Sequence, residues 1–130
     1  MDAASKYAQL RRQEAGMPKL LYAIDARLTP SSPVTDVGPL TELAVAAVTA
    51  GRGHVLDTSH VSFPNGAVTL VLILAESHLS IHTWPEENLI AIDLFSCGAI
   101  DGGLVIDHLV RDLRLESAAI RRVPRGTASP

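Results

Sequence analysis

The sequence predicts an α+β protein: a two-layer α/β sandwich whose mainly antiparallel sheet carries two helices on one face. Three observations lead to this fold class. The chain has 130 residues, which is enough for one domain with a two-layer core. Apolar residues make up 47% of it and aromatic residues only 4%, so the core is aliphatic. The predicted elements follow the order β-α-β-β-β-β-α-β, in which an uninterrupted run of strands favours antiparallel neighbours.

The chain divides into a central domain and two polar ends. Residues 1–18 are polar and are predicted to form an N-terminal extension outside the main fold. Residues 19–123 contain the predicted strands and helices and form the domain. Residues 124–130 are predicted to be a flexible tail.

A strand and a helix begin the domain. Residues 20–26 are apolar enough for a strand. Two prolines within residues 29–33 break either type of element, which predicts a loop there. From residue 38 to residue 50 the apolar side chains recur with helical spacing, and Gly51 ends the helix.

A run of strands fills the middle of the domain. Residues 54–63 favour an extended segment, and Pro-Asn-Gly at 64–66 is a strong turn signal. The apolar residues 67–75 are typical of a buried strand, and residues 89–95 form another strand. Between these two, residues 78–84 alternate in character. The alternation places His78, Ser80, His82 and Trp84 on one face of that strand and Leu79, Ile81 and Thr83 on the other.

A helix and a strand complete the domain. Asp101 is predicted to cap the helix, which runs to about residue 115. A last short strand covers residues 118–123. The inner face of the helix is predicted to consist of Leu104, Val105, His108, Leu109 and Leu113.

Composition and charge exclude several classes of function. The net charge is −3 and the basic residues form no stripe, so no nucleic-acid partner is expected. The longest apolar run is nine residues, about half the length of a membrane helix. The N-terminal residues lack the hydrophobic core of a signal peptide, and a single cysteine excludes an intramolecular disulfide. A cytoplasmic protein without a membrane segment is predicted.

The most informative segment follows the predicted buried strand. Residues 76–86, Glu-Ser-His-Leu-Ser-Ile-His-Thr-Trp-Pro-Glu, contain a serine and two histidines, and Cys97 lies further along. Rigid strands often present the side chains that carry out chemistry. One possibility is a metal site at His78 and His82, although on a strand these residues are about 13 Å apart and no third ligand is evident. Another is thiol catalysis, with Cys97 as nucleophile and His82 as base.

A third possibility, self-cleavage at Ser77, comes from a resemblance to a known family. Residues 76–86, together with Ile-Asp-Leu-Phe-Ser-Cys-Gly at 92–98, resemble the active-site region of the bacterial and archaeal S-adenosylmethionine decarboxylases. The resemblance is strong over residues 67–98 and weaker, but in the same order, over residues 19–123. The family has a two-layer α/β sandwich that forms dimers, which agrees with the predicted strand order and implies a homodimer.

The resemblance implies a lyase that makes its own cofactor. Ser77 Oγ attacks the carbonyl of Glu76, and the resulting ester is eliminated after a base removes the Ser77 α-proton. Loss of ammonia leaves a pyruvoyl group at the start of fragment 77–130, which stays associated with fragment 1–76. The pyruvoyl group replaces pyridoxal phosphate as the electron sink for decarboxylation. Because the change from amide to ester is uphill, the fold is expected to strain or polarise this peptide bond.

The resemblance also assigns roles to individual side chains. His82 matches the base of self-cleavage, and Cys97 matches the cysteine that reprotonates the product. Glu86 matches an acidic residue that binds the ribose hydroxyls of the substrate, S-adenosylmethionine. Thr69 stands where a second processing serine is usual, and it keeps the hydroxyl but is stiffer at χ1. No metal is required, and the decarboxylated product serves spermidine biosynthesis.

Substrate recognition departs from the family pattern. The first strand lacks the usual Gly-x-His start, and few aromatic residues are available to stack on adenine, of which Phe63 is the best candidate. One alternative is therefore an L-ornithine or L-arginine decarboxylase on the same scaffold, with an aspartate facing the distal cation of the substrate. Another is an uncleaved regulatory partner subunit. The aspartates considered for the distal cation are Asp25, Asp57 and Asp93.

Overall fold

Six antiparallel strands form one sheet in this computed structural model, which describes residues 2–32 and 36–126. The strands are β1 (Lys19–Arg27), β2 (Val55–Ser62), β3 (Val68–Leu74), β4 (Ser77–Trp84), β5 (Leu89–Cys97) and β6 (Glu116–Arg125). Their order across the sheet is β2-β3-β4-β5-β1-β6. Strands β2 to β5 are therefore sequential neighbours, while β1 lies between β5 and β6. The predicted order of elements and the antiparallel sheet are confirmed.

Within the described residues, the helices are α1 (Ala3–Lys6), α2 (Ala8–Gln13), α3 (Val37–Ala50) and α4 (Gly102–Asp112), and none is long and apolar enough to cross a membrane. Asp36 and Asp101 cap α3 and α4, because their side chains accept hydrogen bonds from backbone N–H groups of the first helical turn. The two helices pack on each other over the same face of the sheet. A Cβ atom at Gly51 would overlap the side chain of Val105, so this glycine permits their close approach.

The core lies between these two helices and the sheet, and it is aliphatic as predicted. Along β3 the side chains alternate, with Leu70 and Leu72 buried and Ile73 exposed on the other face. Burying one such Leu or Ile side chain stabilises the fold by about 1.5–3 kcal/mol. The largest buried apolar side chains are Ile24, Leu40, Leu70, Leu72, Leu79, Ile81, Ile90, Ile92, Leu94, Leu109 and Leu113.

The face of the sheet opposite α3 and α4 is largely open. The registers of the neighbouring strands place Ile73, His78, Phe95 and Val123 in one row across this face. His78, Ser80, His82 and Trp84 share this face of β4, as the alternation of the sequence predicts, while Leu79, Ile81 and Thr83 are buried on the other. The open face also exposes large apolar side chains, which is typical of an interaction surface. These side chains are Val61, Ile73, Trp84 and Val123.

The ends of the chain depart from the expectation drawn from the sequence. The N-terminal residues do not lie apart from the main fold, because Glu14 is only 3% exposed and packs against Gly98. Strand β6 continues past the predicted residues 118–123, since β1 pairs with it as far as Lys19 and Arg125. The remainder of the predicted tail, from residue 127, lies outside the described residues.

The buried face of α4 also differs from the prediction. Leu104 and His108 are only half-buried, whereas Ile106 is buried. At the start of the helix Gly102 packs directly on the ring of Tyr22, where a Cβ atom would not fit. The buried residues at the sheet side are Gly102, Val105, Ile106, Leu109 and Leu113.

Candidate functional site

Ser77 has an unusual backbone conformation. It is the first residue of β4, and it pairs with Leu74 across the short turn formed by Ala75 and Glu76. Its φ is 148°, a value that residues with a side chain rarely adopt. A backbone held in such a region stores about 1–3 kcal/mol. The strain lies next to the Glu76–Ser77 peptide bond, at the position where a self-cleaving chain needs it.

Glu76 is fixed by a contact that the sequence did not reveal. Its side chain is 2% exposed, and its carboxylate accepts a hydrogen bond from the backbone N–H of His54 at 2.9 Å. The other carboxylate oxygen lies 2.7 Å from Nδ1 of the same histidine. The N–H of Ala75 donates to the His54 carbonyl at 2.9 Å, which ties the turn a third time. His54 therefore holds the residue on the N-terminal side of the strained bond.

Ser77 and Cys97 line one cavity of about 330 Å³, which we call the serine–cysteine cavity. They are brought together because β4 and β5 are antiparallel neighbours, with His78 opposite Phe95. The rings of that pair stack with their centroids 6.1 Å apart. The lining residues are Arg11, Glu14, Ala15, Lys19, Ser77, Phe95 and Cys97.

The surroundings of Cys97 favour the neutral thiol over the thiolate. Its side chain is 2% exposed, and the thiol donates a weak hydrogen bond to the backbone carbonyl of Glu14, with Sγ and O 3.8 Å apart. Burial raises the pKa of this thiol, and the negative charge of the Glu14 side chain raises it further. A reactive thiolate needs the opposite shift. The raised pKa keeps Cys97 protonated at neutral pH.

Thr69 and His82 line a different cavity, of about 600 Å³, which we call the histidine cavity. They are direct neighbours on β3 and β4, and Thr69 Oγ1 lies 3.4 Å from His82 Nδ1. The His82 and Trp84 rings stack with their centroids 6.2 Å apart. The lining residues are Phe63, Pro64, Asn65, Ala67, Thr69, His82, Thr83 and Trp84.

The predicted substrate-binding residues lie at the histidine cavity. Phe63 is 46% exposed and forms part of its wall. Glu86 is exposed on the short 3-10 turn Pro85–Glu87, and its carboxylate accepts a hydrogen bond from the side-chain amide of Asn65. Because Asn65 lines the cavity, Glu86 stands beside its opening.

The chain thus separates the residues that the sequence groups together. Ser77 and Cys97 share one cavity, whereas Thr69 and His82 share the other. His82 lies five positions along β4 from Ser77, a distance of about 16 Å on an extended strand. A pair of Cys97 with His82 is therefore not formed within the chain, and the alternative of thiol catalysis by that pair is not supported.

The acidic residues around Ser77 also differ from those considered in the sequence. Asp25 pairs with Arg121 at 3.3 Å, and the Asp57 carboxylate accepts from the neighbouring N–H of Thr58. Asp93 is exposed on β5. The carboxylate that lines the serine–cysteine cavity belongs to Glu14 instead. Among residues 2–32 and 36–126, no group of three or more His, Cys, Asp or Glu side chains is arranged to hold a metal ion.

Glu14 and His54 are the site residues that sequence reasoning missed. Each reaches the site from a distant part of the chain, and nothing in its local sequence marks it. For Glu14, a polar segment beside two arginines is typical of a solvated end. For His54, the pairing with a turn that follows it by more than twenty residues depends on the β2–β3 hairpin.

Comparisons with known proteins identify a family for most of the chain. A family model described as S-adenosylmethionine decarboxylase matches residues 21–126. An S-adenosylmethionine decarboxylase proenzyme from Picrophilus torridus is 33% identical over 110 residues, which are 82% of this chain and 79% of that protein. A protein named S-adenosylmethionine decarboxylase proenzyme 2, from Bacillus cereus, is 42% identical over 83 residues, which are 63% of this chain and 68% of that protein.

The fold matches a solved structure as well. The adenosylmethionine decarboxylase from Aquifex aeolicus superposes with a TM-score of 0.76 at 26% sequence identity. The match covers 87% of this chain and 94% of that one. The first matched residue of the family model is residue 21, so Arg11, Glu14 and Lys19 lie outside the matched region although they line the serine–cysteine cavity.

Proposed function

The chain belongs to the S-adenosylmethionine decarboxylase family, and we propose that it cleaves itself between Glu76 and Ser77 and then decarboxylates S-adenosylmethionine. The products are carbon dioxide and decarboxylated S-adenosylmethionine, the aminopropyl donor for spermidine biosynthesis. The observation that carries the proposal is the positive φ of Ser77 at an anchored turn. The relatives from Bacillus cereus and Picrophilus torridus are named as proenzymes, which supports self-cleavage.

Self-cleavage begins with the serine hydroxyl. Ser77 Oγ attacks the carbonyl carbon of Glu76, the amide bond becomes an ester, and the Ser77 nitrogen is released as an amine. Backbone strain of about 1–3 kcal/mol is relieved in this step, which offsets part of its uphill cost. A base then removes the Ser77 α-proton, the ester C–O bond breaks, and Glu76 leaves as a carboxylate. Hydrolysis of the dehydroalanine with loss of ammonia gives a pyruvoyl group on fragment 77–130.

The surroundings of Ser77 fit a pyruvoyl group. The strained turn exposes Ser77 to a cavity with room for an amino-acid substrate, and Cys97 lies in the same cavity. Once formed, the group supplies an electron sink for the bond to the departing carbon dioxide. Cys97 supplies the proton that the substrate α-carbon then needs, because burial keeps its thiol protonated. Cys97 is accordingly the proposed catalytic acid.

The base of self-cleavage is His82 of a second copy of the chain. Within one chain His82 lies too far from Ser77, whereas a two-fold axis over the open face would bring one copy's histidine cavity to the other copy's serine–cysteine cavity. The open face exposes Ile73, Trp84 and Val123, which a homodimer would bury. Thr69, whose Oγ1 lies 3.4 Å from His82 Nδ1, is the residue that we assign to hydrogen-bond the ester or the attacking hydroxyl.

The histidine cavity then binds the nucleoside part of the substrate. Phe63 offers an exposed ring for the adenine, and Glu86 offers a carboxylate for the ribose hydroxyls. In the proposed dimer, Phe63 and Glu86 of one copy lie beside Ser77 of the other copy. We place the enzyme in the cytoplasm, since its single cysteine is buried and the fold depends on no intramolecular disulfide.

The test is the mass of the denatured protein. The wild type is expected to give two fragments that begin at Met1 and at the former Ser77, whereas Ser77→Ala gives one chain of 13.8 kDa. Ser80→Ala, a serine three positions along the same strand, is the matched control and should cleave like the wild type. Reductive trapping with S-adenosylmethionine, L-ornithine and L-arginine then identifies the substrate.

Each outcome has a definite meaning. Uncleaved wild-type protein would overturn the proposal and favour a regulatory partner subunit. Cleavage with trapping of L-ornithine or L-arginine alone would keep the pyruvoyl chemistry and replace the substrate.

A further inference from the structure

The N-terminal segment forms one wall of the serine–cysteine cavity. Arg11, Glu14 and Ala15 line it together with Ser77 and Cys97. The segment is fixed to the sheet by several contacts rather than lying loosely on it. The Glu14 carbonyl accepts from the Cys97 thiol, and Gly98 lacks the Cβ atom that would collide with the Glu14 side chain.

Glu14 carries a buried carboxylate oxygen without a partner. Its side chain is 3% exposed, and Oε2 accepts a hydrogen bond from the Arg11 guanidinium at 2.9 Å. Oε1 is buried and has no hydrogen-bond partner among the described residues. Leaving a buried polar atom unpaired is unfavourable, so such an atom at a site points to a missing ligand group. A carboxylate oxygen accepts hydrogen bonds and attracts positive charge, so that group is a cation or a donor.

The substrates under consideration all carry such a group. S-adenosylmethionine has a sulfonium three bonds from its α-carbon, and L-ornithine and L-arginine have a nitrogen cation slightly further along. Since the α-amine of the substrate reacts at position 77 of the cleaved protein, a cation at this distance falls within the same small cavity. We propose, on the basis of the function proposed above, that the Glu14 carboxylate binds the positive charge of the substrate side chain.

The other charged groups of the cavity are compatible with this role. The Arg11 side chain is 60% exposed and binds the second oxygen of Glu14, so it orients the carboxylate and leaves Oε1 free. The Lys19 ammonium donates to the backbone carbonyl of Met17 at 3.1 Å, which directs it toward that carbonyl. The proposal makes the N-terminal segment, which lies outside the matched family region, a determinant of substrate specificity.

The experiment compares cationic ligands with neutral ones of similar shape. Binding is measured by calorimetry in the Ser77→Ala background, so that it is non-covalent and independent of self-cleavage. The pairs are S-adenosylmethionine against S-adenosylhomocysteine, and L-ornithine against L-norvaline. Glu14→Gln should weaken the cationic member of the pair that binds by about 10- to 100-fold and change the neutral member by less than about twofold. Glu42→Gln, which removes an exposed carboxylate on α3, is the matched control and should change neither.

The ratio of the two dissociation constants within each pair tests the role of Glu14 even if the variant is less stable. Partial unfolding weakens the binding of both ligands equally and leaves this ratio unchanged. Equal weakening of cationic and neutral ligands would show that Glu14 only supports the structure. An unchanged ratio in Glu14→Gln, or no preference for cations in the parent protein, would also overturn the proposal. The mass of the denatured wild type reports self-cleavage separately, so a failure of the proposed function is distinguished from a failure at Glu14.

Discussion

The two ends of β4 lie in different chemical surroundings. At its start, Ser77 faces a small cavity with a thiol, a buried carboxylate and two basic side chains. Toward its end, His82 faces a larger cavity walled by the rings of Phe63 and Trp84. The first end presents charged side chains and a protonated thiol, whereas the second presents aromatic rings on which a flat apolar group could stack. In the function proposed above, Ser77 at one end of β4 is the cleaved residue and His82 toward the other end is the base, so two copies of the chain are needed to bring them together.

Mixing two inactive variants tests whether Ser77 of one copy acts with His82 of another. Ser77→Ala and His82→Ala should each fail to cleave when expressed alone. Co-expressed with distinguishable tags, they should form mixed dimers in which the intact Ser77 of one copy meets the intact His82 of the other. About half of the His82→Ala chains should then be cleaved, as random pairing requires.

Mass spectrometry of the two tagged chains makes the measurement. Cleavage confined to the His82→Ala chain is the expected pattern. If the mixture stays uncleaved although mixed dimers are isolated, the two ends of β4 do not cooperate across copies.

Replacing Cys97 tests the reaction end without disturbing recognition. Cys97→Ala should still cleave itself, because the thiol is not needed for the attack by Ser77. Turnover should fall by about 100-fold or more, the usual contribution of a positioned proton donor. Carbon dioxide release is the assay, and the KM for S-adenosylmethionine should change little. A variant with normal turnover would remove Cys97 from the mechanism.

Replacing His54 tests whether the anchored turn matters. His54→Ala leaves the Glu76 carboxylate with the backbone N–H but without the imidazole. We expect a loss of about 1–3 kcal/mol in stability, as for other buried polar groups that lose a partner. The first-order rate of self-cleavage should fall by about tenfold, since each 1.4 kcal/mol is a factor of ten.

His60→Ala provides the comparison for His54, because His60 is exposed on the same strand region. It should leave both the melting temperature and the cleavage rate near those of the wild type. Loss of stability with an unchanged cleavage rate would show that the His54 contact is only structural.

Replacing Thr69 tests whether its hydroxyl takes part in self-cleavage. Thr69→Ser keeps the hydroxyl near His82 but frees χ1, so that in the proposed dimer the hydroxyl can turn toward the reacting ester of the other copy. Self-cleavage should become faster by a few fold, on the order of the 0.5–1.5 kcal/mol that an unfavourable rotamer costs. Thr69→Val, of the same shape, should slow it. Equal rates in all three proteins would exclude the hydroxyl from the reaction.

The smallest expected effect is a shift in the pH dependence of kcat. Because burial and the charge of Glu14 raise the pKa of the Cys97 thiol, turnover should persist above the pH at which an ordinary thiol ionises. Glu14→Gln removes the negative charge, lowers that pKa, and should move the alkaline decline of kcat to lower pH. A pH–rate profile of both proteins makes the comparison. If the alkaline decline of kcat falls at the same pH in both proteins, the charge of Glu14 does not affect the ionisation of Cys97.

The sequence predicted most of what lies within one element and little of what joins distant ones. The alternation in residues 78–84 gave the correct faces of β4, and Asp101 gave the correct start of α4. Both depend on local spacing. The contacts of His54 with Glu76 and of Glu14 with Cys97 span long stretches of chain, so they follow from strand register and from the docking of the N-terminal segment. A polar segment with two arginines gives no local sign that it docks.

The separation of Ser77 from His82 is of a different kind. Five positions along a strand already imply that the two side chains cannot meet, and strand spacing alone would have revealed it. The motif places them close together in the sequence, whereas the extended strand separates them by about 16 Å.

The strand order has a consequence for the cleaved protein. A cut between Glu76 and Ser77 leaves β1, β2 and β3 on one fragment and β4, β5 and β6 on the other. Since β1 lies between β5 and β6, one strand of the first fragment is inserted between two strands of the second. Neither can be withdrawn without opening ladders on both sides of β1. The mature protein would therefore sediment and unfold as one body, and subunits of different molecules would not exchange fragments while folded.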